Sequence, residues 1–206
     1  MENDLIPEQI SGSEMNTVAE TAFETLEEAI AFYKLAKDRL MSVSNWAKIC
    51  GTEATTFELL NSQGTGPGEL KEGNLIKIDI PGPGTHLGGG YDWVKIEQVE
   101  ENKMNQQYFG FKVRPCPNPE RATEGTAHFF KETSSSTFLV RLSGYTVQAE
   151  MHGRNEEPNT VEPSFFDGLR NMAVGYSAKI GLSYPQWKLL VEGIVDTQKG
   201  DREDLA

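Results

Sequence analysis

The chain changes its hydrophobic period near residue 53, and that change decides the class of fold open to it. Before it, TLEEAIAFYKLAKDRL carries apolar residues at helical spacing. After it come ATTFELL, NLIKIDI, DWVKIEQVE, YFGFKVRP, TAHFFKET, STFLVRLS and YTVQAEMH, each short and most alternating. In NLIKIDI, Ile76, Ile78 and Ile80 share one face while Lys77 and Asp79 share the other. Phe138, Val140 and Leu142 repeat the pattern, as do Tyr145, Val147 and Ala149. Period-two alternation predicts strands of a sheet with one buried face. Short connections such as LSGY favour antiparallel hairpins over parallel crossovers.

The helical stretches flank this run. Thr25 and Glu28 have capping-box spacing, with Phe23 just upstream. Leu26, Ile30, Tyr33 and Leu40, with Ala29 and Ala36 beside them, predict one apolar stripe. A second short helix is expected over NWAKIC, capped by Ser44 and ended by Gly51. Beyond NEEPNTVEPS, one helix is expected within SFFDGLRNMAVGYSAKIG, with Phe166, Leu169 and Ala173 on its stripe. Another follows in YPQWKLLVEGIV, capped by Ser183, with Trp187, Leu190, Val191 and Ile194 on its apolar face.

The order predicts an α+β fold: a curved, mostly antiparallel sheet of about six to seven strands, with helices from both ends packed on one face. Residues 1–20 read as a flexible lead, 21–196 as a single domain and 197–206 as a flexible acidic tail. This order of elements resembles the helix-grip fold of START-like ligand carriers, in which a curved sheet wraps a C-terminal helix around a cavity. That family has a strand before its first helix, and none is expected here.

The formal net charge is −12 and the pI about 4.7, which disfavours nucleic acid and anionic lipid surfaces as partners. The N-terminal MENDLIPEQI has no signal-peptide pattern, and no window reaches the length of a membrane span, so a soluble cytoplasmic protein is the expectation. Cys50 and Cys116 form no CxxC motif and read as free, partly buried thiols. Cys116, close after Arg114, also has a setting in which a thiol pKa can fall.

Two stretches carry candidate chemistry. IPGPGTHLGGGYDW, residues 80–93, is glycine-rich but runs strand to strand and lacks the phosphate-loop signatures. It reads as a hairpin loop or as a flap over a pocket, with His86 at its tip and Tyr91 and Trp93 at its base. In AEMHGRNEEPN, a continuing strand aligns Thr146, Gln148, Glu150, His152 and Arg154 on one face. That row is either a solvated outer face or the lining of a polar cavity. NEEPN, by contrast, reads as a turn.

The leading expectation is a binding protein for a small molecule or a protein partner, its site formed by His86, Tyr91, Trp93, Gln148, Arg154 and Asn155. Arg154 has the fork that suits an anionic group. The rival is a hydrolase or lyase with Glu150 and His152 as acid–base residues, aided by a metal if His86 and His128 converge on them. No ligand spacing supports that metal, so none is assigned, and the sequence leaves any cofactor unknown. A scaffold or oligomerisation module is the third expectation.

Overall fold

The computed structural model describes residues 5–51, 55–80, 85–102, 107–159 and 175–199. Seven strands form one open antiparallel sheet: β1 Ser13–Ala22, β2 Thr56–Leu60, β3 Leu75–Asp79, β4 Asp92–Asn102, β5 Gln107–Pro115, β6 Ser135–Ser143 and β7 Thr146–Glu156. Their order across the sheet is β1-β7-β6-β5-β4-β3-β2. The helices are α1 Leu26–Met41, α2 Trp46–Cys50 and α3 Gly175–Ile194. With β1 in place, the element order is that of a helix-grip α+β fold.

All three helices pack on one face. The inner rows of the strands supply Phe57, Ile76, Ile78, Val94, Ile96, Phe109, Phe111, Phe138, Val140, Val147, Ala149 and Met151. Trp46 of α2 sits among Phe57, Phe138 and Trp187, with ring centroids 5.2, 4.9 and 6.3 Å away. Its indole N–H is satisfied by the Leu40 carbonyl at 3.1 Å, so the ring is buried without an orphaned donor.

The capping box of α1 forms as its spacing predicts: the Thr25 hydroxyl accepts from the Glu28 N–H, and the Glu28 carboxylate from the Thr25 N–H. The stripe differs, however. Leu26 is exposed, and Phe32 joins Ala29, Tyr33, Ala36 and Leu40 against the sheet. Gly51 ends α2 in the left-handed region, but Ser44 caps nothing and instead accepts from the Leu59 N–H. The helix expected to start at Ser183 is continuous from Gly175, with Ser183 and Pro185 inside it. The stripe expected at Phe166, Leu169 and Ala173 lies outside the described residues.

Four other expectations are corrected. Residues 13–20, assigned to a flexible lead, belong to β1, which pairs with β7 from Ser13↔Glu156 to Ala22↔Thr146. TAHFFKET is no strand: the Phe130 N–H goes to His128 Nδ1 at 2.9 Å, leaving only an isolated bridge from Phe130 to Pro158. Tyr145 lies in the β6–β7 turn and is exposed, so it does not join Val147 and Ala149 on the inner face. Finally, the tail's first residues are held, because Lys199 donates to Ile49 O and its own carbonyl accepts from Arg39 at 2.6 Å.

The N-terminal segment crosses the outer face of the sheet. Leu5 is fully buried, and its carbonyl accepts from the Thr137 hydroxyl at 3.2 Å. Gly110 makes the room: a Cβ there would stand 2.3 Å from Leu139 Cδ2 and 3.0 Å from Leu5 Cδ2.

Candidate functional site

β7 does not stop at His152 but runs on through Glu156, so Asn155 and Glu156 belong to the strand and not to a turn. Gln148, Glu150, His152 and Arg154 therefore lie on the outer face, opposite Val147, Ala149 and Met151. The helices cover the other face, so the polar row does not line the helix-covered interior.

His152 lies over β1 with both ring nitrogens engaged, Nδ1 to Asn16 Oδ1 at 2.7 Å and Nε2 to Glu150 Oε2 at 2.8 Å. The other oxygen of Glu150 meets Arg141 Nε at 2.6 Å. Burial pushes the Glu150 carboxyl up, but the hydrogen bond from His152 and the charge of Arg141 outweigh it and hold the pKa below the ordinary value. An acid–base histidine needs one nitrogen turned to its substrate, and here neither faces an opening. The nearby recess of about 280 Å³ is lined by Gln107, Tyr108, Arg141, Leu142, Ser143, Gln148 and Glu150, without His152.

Arg154 and Asn155 are committed to the chain itself. Arg154 Nη1 donates to the Gly153 and Met15 carbonyls at 2.8 and 3.2 Å. Asn155 adopts φ 55°, and its side-chain oxygen accepts from Ile10 N–H at 2.7 Å and Ser11 N–H at 3.1 Å, while Nδ2 donates to Glu8 O. Gln148 donates to Glu20 at 2.7 Å. These three side chains fasten β1 and the N-terminal segment to β7.

The glycine-rich loop, by contrast, borders an opening. A cleft of about 500 Å³ lies on the outer face over β2, β3 and β4, with Leu60 and Trp93 in its lining. Gly64–Pro67, Gly88, Gly89 and Tyr91 line it from two loops, and Asn118 and Glu120 from a third. Trp93 packs with Leu60, Leu75 and Ala127 in a second small apolar cluster, and its indole N–H donates to Gly88 O at 3.2 Å. Gly88 is required where it stands, because a Cβ there would fall 1.7 Å from the Tyr91 carbonyl oxygen. Lys77 holds its ammonium 4.4 Å from the centre of the Tyr91 ring and 2.8 Å from Glu58. The hydrogen bond to Glu58 is the main cause of its raised pKa.

The two candidate stretches thus share a face but not a site. β7 and β4 are three strand spacings apart, about 14 Å. Tyr91 and Trp93 line the cleft, whereas His86 is exposed and outside its lining. His128 is buried with its ring stacked on Phe129 and does not group with His152. Among the described residues, no three or more His, Cys, Asp or Glu side chains group as a metal site. Cys50 and Cys116 are free thiols whose pKa burial pushes up, to about 11 and about 12, so the lowered value entertained for Cys116 is not found. Arg141 and Asn118 went unmarked in the sequence, because each depends on neighbours from distant strands or loops.

No family model and no curated protein matches the chain. Among solved structures it is similar to the protein XoxI from Bacillus cereus (13% identity, 92% of this chain and 100% of that one, TM-score 0.43). It is also similar to norcoclaurine synthase from Thalictrum flavum (10%, 93% and 100%, 0.38) and to major latex-like protein 151 from Panax ginseng (16%, 82% and 98%, 0.35). The topology itself defines the class: a helix-grip α+β protein with an open cleft on its outer face. No helix among the described residues is long and apolar enough to cross a membrane.

Proposed function

We propose that this protein binds a small molecule in the cleft between the glycine loops. One observation carries the reading: an opening of about 500 Å³ walled by Tyr91 and Trp93 and rimmed by Lys77, Glu58, Asn118 and Glu120. That volume falls in the range of small-ligand sites, roughly 300–1,000 Å³, and so does the mix of aromatic wall and few polar groups. Glycines at 64, 66, 88 and 89 line the opening and bring backbone close to whatever enters.

A fragment screen read by amide NMR tests this. Binding fragments are expected to shift Gly66, Gly88, Gly89, Tyr91 and the Trp93 indole together. A diverse library that leaves all of these unmoved at about 1 mM, where even weak sites fill, overturns the reading.

A further inference from the structure

We propose that the cleft selects a flat, uncharged ligand bearing a carbonyl-type acceptor, an aryl amide being the simplest, and that Asn118 recognises that acceptor. The inference rests on the binding reading above and deepens it.

Asn118 is only 6% exposed, yet its side chain lines the cleft. Its Oδ1 accepts from the Glu120 N–H at 3.0 Å, capping the turn Pro119–Arg121 and fixing which way the amide faces. The Nδ2 end makes no hydrogen bond with any described residue. It lies 3.8 Å from where a Gly89 Cβ would sit, across from the glycine loop. A largely buried amide thus offers its two N–H donors to the opening and keeps its acceptor occupied. Such a group recognises an acceptor atom and gains nothing from a donor.

Charge excludes one class. Glu58 and Glu120 set two carboxylates against the one ammonium of Lys77 in the lining, and Glu58 already holds that ammonium at 2.8 Å. In a chain of net charge −12, an anion meets repulsion both locally and at long range. Tyr91 and Trp93 supply aromatic walls suited to a flat molecule. A neutral ring carrying a carbonyl satisfies all three conditions.

The test titrates the full chain with benzamide and with benzoate, matched in shape and different in charge, and follows the amide NMR spectrum. Benzamide is expected to shift the Asn118 side-chain amide, Gly89 and the Trp93 indole, with benzoate at least ~10-fold weaker. Asn118→Asp keeps an oxygen at the Oδ1 position for the Glu120 cap but replaces the donors with an acceptor. It should weaken benzamide by at least ~10-fold, the scale of one lost buried hydrogen bond, in protein whose amide spectrum away from the cleft remains that of the folded chain. Benzoate binding as tightly as benzamide, or an Asn118→Asp variant that binds benzamide normally, overturns the assignment. Neither probe moving these signals while other fragments do also overturns it and leaves the cleft reading standing. If no fragment moves them, both fail.

Discussion

Arg39, buried in the middle of the molecule, donates through Nη1 to the carbonyl of Ile194 at 3.0 Å, at the last turn of α3. The same guanidinium reaches Gly193, Asp196 and Lys199 carbonyls at 3.4, 2.8 and 2.6 Å. A helix end leaves carbonyls without intrahelical partners and carries partial negative charge, so one cation from α1 satisfies both demands on α3. Arg39→Met is expected to destabilise the protein by about 3 kcal/mol in urea unfolding, since charge-assisted hydrogen bonds contribute about 1.5–3 kcal/mol and orphaned carbonyls add to the loss. Arg39→Lys should recover only part, because a single ammonium cannot span carbonyls that a planar fork reaches together.

Leu5 is anchored although it precedes every regular element. Its side chain fills the space that Gly110 leaves beside Leu139. Leu5→Ala is expected to cost about 2–4 kcal/mol, the usual range for a fully buried leucine, measured by the same unfolding assay. A flexible lead would show no change.

The reason β1 and Leu5 were hard to read is physical. The row of β1 turned to the helices is Met15, Thr17, Ala19 and Thr21, and the other row is Glu14, Asn16, Val18 and Glu20. Neither row is strongly apolar, so no period stands out. Pairing with β7, remote in the chain, forms this strand, and propensity contributes little. The capping box at Thr25 and the alternation of β3 were legible because each is settled within a few residues. The site divides in the same way. Tyr91 and Trp93 sit beside a conspicuous glycine run, whereas Asn118 gains its meaning only when the third loop closes over β4. Arg154 and Asn155 looked like ligand residues because an exposed basic–amide pair and one that clamps a distant segment have the same sequence.

Glu156 gives the fold a pH dependence. Burial pushes its carboxyl up from 4.5 to about 7, against smaller opposing pulls from the Ser13 hydroxyl and Arg154. The folded state therefore favours the protonated form. Its contribution is complete below the unfolded value of 4.5 and is lost as pH rises through about 7. Glu156→Gln keeps the shape without the titration. Between pH 5 and pH 8 the wild type should lose up to about 3 kcal/mol relative to this variant, by the standard conversion of a pKa difference. Equal pH profiles for the two proteins would show that the carboxyl is not held protonated by the fold.

Cys50 and Cys116 test the core chemically. With thiol pKa values of about 11 and about 12, both groups stay protonated at pH 8, and the thiolate is the reactive form. A chromogenic disulfide reagent at pH 8 should therefore label native protein slowly, and should label both thiols quickly once urea exposes them. Fast labelling of Cys116 in the native state would mean that the loop between β5 and β6 opens far more readily than its packing against the Trp93 cluster implies. Because that loop also carries Asn118, its opening would leave the cleft without the wall that positions the amide.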